Sequence, residues 1–96
     1  MKMNEHQNLL WQNMIDSIQK YLNGETKDFY DLVGKLEGAL DASEIKDDAL
    51  ISQWYNYWAP LEVRRAIEGN NVDKQKAVNE LIKMKNFLIK TKINIE

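Results

Sequence analysis

The sequence predicts an all-α fold, an antiparallel bundle of four to five helices. Three observations carry this. Apolar residues recur at three- and four-residue spacing in four stretches, short polar or Gly-containing breaks separate those stretches, and 96 residues hold only one Pro and four Gly. That is too little turn chemistry for an all-β meander. The length supports one core, so residues 1–96 are read as a single helical domain.

The first stretch runs from about Asn4 to Leu22. Leu10, Met14 and Ile18 recur on one face, with Trp11 and Ile15 widening it, and Asn23-Gly24 stops it. Thr26 is the expected N-cap of the second stretch, with Asp28 in its first turn. Phe29, Leu32, Val33, Leu36 and Leu40 make its apolar face. Gly34 and Gly38 each lower helix propensity by about 1 kcal/mol against Ala, so a close helix crossing is expected to compensate. Residues 41–46 read as a loop, and Asp47 or Asp48 as the cap of a third helix.

That third helix presents Leu50, Ile51, Trp54, Trp58 and Leu61 inward. Pro60 lies within it. Pro lacks the N–H that would reach Asn56 C=O and disfavours helical geometry at Ala59, so a helix kinked or broken at Pro60 is expected. Gly69-Asn70-Asn71 ends this segment and is read as capping the next, which spans about Val72 to Ile89 with Ala77, Val78, Leu81, Met84 and Leu88 inward. Residues 90–96 read as a frayed or packed extension.

Composition narrows the function. No run approaches the roughly 18 apolar residues of a membrane span, and Met1–Gln7 lacks the pattern of a signal peptide, so a cytoplasmic protein away from membranes is expected. With no Cys, disulfides and cysteine-based zinc sites are excluded. A net charge of −2 argues against a dedicated nucleic-acid binder. His6 is the sole His and lacks a second ligand for a metal. No Ser has a His placed beside it by sequence, and no Gly-rich loop follows a strand. Asp47 and Asp48 are adjacent, which on a helix points them about 100° apart and suits a helix start better than acid–base chemistry. The expectation is a binding protein, not an enzyme, with no cofactor and no metal.

Two features suggest where a partner binds. Trp54-Tyr55-Asn56-Tyr57-Trp58 places four aromatics around one helix. The Trp pair fits the core, which leaves Tyr55 and Tyr57 at its edges, either merely wet or as interface anchors. Charge is also segregated. Residues 25–48 hold eight acids against three lysines, and residues 72–96 hold six lysines against three acids. These are either solvated faces that attract each other across the bundle, or an acidic docking surface for a basic partner.

The segments Leu22-Asn23-Gly24-Glu25, Leu32 to Leu40, Asp47-Asp48 and Trp54 to Glu62 resemble small helical bacterial immunity proteins of contact-dependent and polymorphic toxin systems, including partners of EndoU-type RNase toxins. The resemblance spans roughly residues 22–68 and rests mostly on core positions. Pro60 departs from its uninterrupted third helix. It implies an inhibitor that binds a cognate toxin, a basic nuclease domain, and covers its active site. No catalytic residue carries over from it. The candidate partner-binding residues are Asp28, Asp31, Glu37, Asp41, Glu44, Asp47, Asp48, Tyr55 and Tyr57. The competing expectation is a regulatory or scaffold module that binds a peptide helix or another copy of itself.

Overall fold

The computed structural model describes residues 2–95 and, of their side chains, those through Lys92. Four helices form: α1 (Glu5–Leu22), α2 (Phe29–Ser43), α3 (Asp48–Glu68) and α4 (Lys74–Ile95), with a 3-10 turn at Gly69–Asn71. No strand occurs among the described residues.

Local chemistry sets the ends. Asn4 caps α1 through a reciprocal pair, its Oδ1 accepting from Gln7 N at 2.8 Å while Gln7 Oε1 accepts from Asn4 N at 3.1 Å. Gly24, at φ 80°, takes the left-handed turn that lets the chain leave α1. Asp28 caps α2, its Oδ1 accepting from Asp31 N at 2.9 Å. This corrects the expected Thr26 cap, because the short Asp side chain two residues later reaches the free amide. Asp47 caps α3 by accepting from Leu50 N at 3.1 Å.

Two boundaries differ from the sequence reading, and the tail takes the second of its two expected forms, an extension packed on the bundle. Helix α2 continues to Ser43, and Ile45 beyond it is buried, so the supposed loop is largely helix and core. The start of α4 is fixed by Asp73, which accepts from Gln75 N and Lys76 N, and not by the Asn70-Asn71 pair. Residues 90–95 prolong α4, where Lys92 Nζ donates to Gln12 Oε1 at 2.6 Å.

Helix α3 runs unbroken through Pro60, so two helices do not meet there. Pro60 is exposed while Trp58 and Leu61 on either side are buried. Their burial holds the helical path despite the missing N–H, and the cost falls on the solvent side, where water can reach a freed carbonyl.

Neighbouring helices run antiparallel. At one end of the α1–α2 pair Tyr21 packs on Phe29, and at the other Gln7 Nε2 donates to Ser43 O at 3.1 Å. Helices α1 and α3 each lie between α2 and α4, and the backbones of the two diagonal pairs, α1/α3 and α2/α4, do not approach one another. The four therefore stand as a square whose diagonals are α1/α3 and α2/α4. The core fills with Trp11, Met14, Ile18, Phe29, Leu36, Trp54, Leu61, Leu81, Met84 and Leu88, all essentially without exposure. Indole N–H groups tie it across the sequence: Trp11 Nε1 donates to Leu88 O at 2.9 Å, and Trp58 Nε1 to Val33 O at 3.0 Å.

The glycine pair does not mark a close helix crossing. A Cβ on Gly34 would stand 3.0 Å from Arg65 Nη1, a side-chain tip, and one on Gly38 would meet nothing within 4 Å. Gly34 makes room for the Arg65 guanidinium, which lies over the Tyr30 ring at 4.8 Å.

Candidate functional site

The aromatic segment splits between the two sides of α3. Trp54 and Trp58 stack at 5.7 Å and 24° in the core. Tyr55 turns toward α2, meeting Trp54 and Trp58 edge-on at 5.1 and 5.6 Å. Its hydroxyl donates to Glu37 Oε2 at 2.9 Å. Tyr57 turns the other way and stacks on Phe87 of α4 at 4.7 Å and 16°. Tyr55 therefore belongs with the carboxylates of α2, and Tyr57 stands apart from them.

Burial, the hydrogen bond to Glu37 and the charges of Glu37 and Asp41 push the Tyr55 phenol up to about 12. Between the ordinary value near 10 and 12 the unfolded chain loses this proton while the native chain keeps it. Its contribution to stability is thus complete below pH 10 and falls as pH rises through the native value. Tyrosinate absorbance followed against pH should show a late step at about 12 from Tyr55, and burial raises Tyr21 as well. The late step should vanish in Tyr55→Phe and move toward ordinary values in Glu37→Gln. A late step that survives Tyr55→Phe would assign it to another ring.

The seven carboxylates have unequal freedom. Asp28 and Asp47 are engaged as helix caps. Asp31 pairs with Lys35 at 2.9 Å on the same helix, and Glu37 accepts from Tyr55. Asp41, Glu44 and Asp48 are exposed and make no ion pair among the described residues. They lie where α2 ends and α3 begins. Glu44 sits at φ 56°, a left-handed position that closes α2. The same end carries Lys2 and Lys46, which share a hollow of about 510 Å³ with Glu44 and Asp47 and dilute the field there.

The other side of α3 is basic. Between α3 and α4 lies an open groove of about 650 Å³, lined by Tyr57 and Phe87 together with Lys83 and Lys90. No ion pair joins α2 to α4 among the described residues. Among the described residues, the one pair that links two helices is Arg64 with Glu80, between α3 and α4, and Arg64 also reaches Glu68 at 3.4 Å. The acids of α2 and the lysines of α4 therefore occupy diagonal corners instead of neutralising each other across a shared interface.

The chain matches no protein-family model, no curated protein and no solved structure. What bears on function is thus the distribution of groups on the bundle. Among the described residues, no group of three or more His, Cys, Asp or Glu could hold a metal ion, and no helix is long and apolar enough to cross a membrane. His6 is exposed, with Nε2 3.1 Å from Ala42 O.

Sequence reasoning missed the basic groove. Lys76, Lys83 and Lys90 recur every seven residues, which brings them to one side of α4 about 10.5 Å apart. That spacing was readable. The position of Tyr57 and Phe87 beside Lys83 and Lys90 depends on the α3–α4 register, which single-helix periodicity does not report.

Proposed function

We propose that the chain is an immunity protein, which binds a cognate bacterial toxin in the cytoplasm and neutralises it without catalysis. The toxin would be a nuclease whose substrate-binding cleft carries Lys and Arg, because a polyanion must be attracted there. The observation that supports this reading is the freedom of the acidic corner. Asp41, Glu44 and Asp48 are exposed and form no ion pair among the described residues, even with Lys2 and Lys46 at the same end, and the lysines of α4 stand on the diagonal helix. Carboxylates at such a corner can occupy positions that nucleic-acid phosphates take in the cleft. Tyr55, half-buried beside Glu37, supplies an aromatic edge next to them.

The test is direct inhibition. The nuclease domain encoded beside this chain's gene should lose RNA cleavage when the two proteins are mixed at equal molar amounts. It should also elute with the chain as one complex. Full cleavage at a tenfold excess of the chain rules the reading out for that nuclease.

A further inference from the structure

Helix α3 has an outward face unlike those of the other three. Every exposed α3 residue after Asp48 is uncharged. Its charged residues, Glu62, Arg64, Arg65 and Glu68, are all half-buried and paired within the chain. The outward line instead carries Asn56, Pro60, Val63 and Ile67, with Val63 57% and Ile67 78% exposed. By contrast α1, α2 and α4 all present charges to solvent. A helix that is apolar or neutral on every side is ordinarily covered on every side.

We propose that this face meets the same face of a second copy of the chain, with the two α3 helices parallel about a two-fold axis. The argument is charge complementarity. Helix α3 is flanked by acidic α2 on one side and lysine-bearing α4 on the other. A two-fold axis along the seam keeps the α3 helices parallel and exchanges sides, so α2 of each copy faces α4 of the other. An axis across the seam makes them antiparallel and sets α2 against α2 and α4 against α4, which like charges oppose.

The levels along α3 agree with the parallel arrangement. Asp41 acts on Tyr55, and Lys90 lines the groove with Gln53 and Tyr57. Asp41 of one copy and Lys90 of the other thus stand at similar heights. The neutral strip itself carries no charge to be stranded when covered.

Size sets the strength. From Ala49 to Ile67 the strip is about 28 Å long and one helix, about 10 Å, wide. This falls short of the roughly 800 Å² per partner of standard stable interfaces, so the dimer is a weak one that forms at high concentration. The acidic corner flanks this face through Asp41, but the neutral strip lies on α3 itself, and the inference does not depend on the toxin reading.

The chain has no Cys, so single substitutions report cleanly. Asn56→Cys, Val63→Cys and Ile67→Cys should each give a disulfide-linked dimer on mild oxidation. In a parallel seam every position meets its own copy, whereas an antiparallel seam brings only one level onto itself. Sedimentation of the unmodified chain should move toward twice the chain mass as concentration approaches about 0.5 mM, a range suited to a weak interface. The double variant Val63→Glu, Ile67→Glu should stay monomeric with an unchanged helical spectrum, since both side chains are exposed. Linkage at one position alone overturns the parallel geometry. A monomer at every concentration, or a dimer indifferent to the double variant, overturns the interface.

Discussion

Trp54→Ala is expected to lower the unfolding free energy by about 3–5 kcal/mol, a large share of the roughly 5–15 kcal/mol that holds a domain of this kind. The ring has no exposure, stacks on Trp58 and takes the edge of Tyr55, so its loss leaves a cavity that these two aromatic neighbours cannot fill by small shifts. A milder substitution separates packing from polarity. Trp54 Nε1 is buried and has no protein acceptor, while Trp11 Nε1 donates to Leu88 O. Trp54→Phe removes a donor whose burial costs about 1–3 kcal/mol when unsatisfied, which offsets part of the lost volume. Trp11→Phe removes a made bond and the tie between α1 and α4. Urea unfolding should therefore rank the costs as Trp54→Ala first, Trp11→Phe second and Trp54→Phe least. Equal costs for the two Phe variants would show that the Trp54 indole is satisfied after all.

The legibility of this core in the sequence has a physical reason. Burial follows helical period, and the period is local. Trp11, Met14, Ile18, Leu32, Leu36, Leu40, Trp54, Trp58, Leu61, Leu81, Met84 and Leu88 can be read from spacing alone, and all are buried. Residues outside the periodic stretches are harder. Met3, Ile45 and Val72 are buried from positions just before or between helices, where burial depends on how the chain folds back over the bundle end. Gly34 misled for a related reason. Its missing side chain serves Arg65, thirty-one residues away, and only the α2–α3 register shows that.

The candidate site was legible in its charges but not in their employment. Asp47 reads as a cap candidate in the sequence and is one, while Asp28, read as a first-turn acid, is the cap itself, because capping depends on where a helix begins to within one or two residues. Glu37 is committed to Tyr55, a pairing eighteen residues long. Tyr55 and Tyr57, two apart on a helix, diverge to opposite neighbours, as the 3.6-residue period requires. Which neighbour each would meet was set by the order of helices around the square.

If the chain is the immunity protein proposed above, reversing Asp41, Glu44 and Asp48 to Lys is expected to slow capture of its toxin by about 100-fold or more at low salt. Steered association runs at about 10⁸–10⁹ M⁻¹s⁻¹ and unsteered association at roughly 10⁵–10⁶. The three substitutions take the net charge of the chain from −2 to +4, so attraction to a basic cleft becomes repulsion. Asp47 is left alone because its side chain caps α3, and a Lys there would confound binding with helix loss. None of the three chosen acids has an ion pair among the described residues, so stability should hold. Only Asp48 touches it, through a dipole contribution of about 0.3–1 kcal/mol in the first turn of α3. If the acids instead served the fold by attracting the lysines of α4, the triple variant would unfold at lower urea; the diagonal placement of α2 and α4 predicts that it does not. Salt supplies the second axis. The screening length falls from about 10 Å at 0.1 M to about 3 Å at 1 M, so the rates of the two proteins should converge as salt rises. Stopped-flow association with an authenticated toxin at both salt concentrations decides the matter. Equal rates at low salt would remove the acidic corner from the mechanism and move the search for the contact surface to the basic groove of α4.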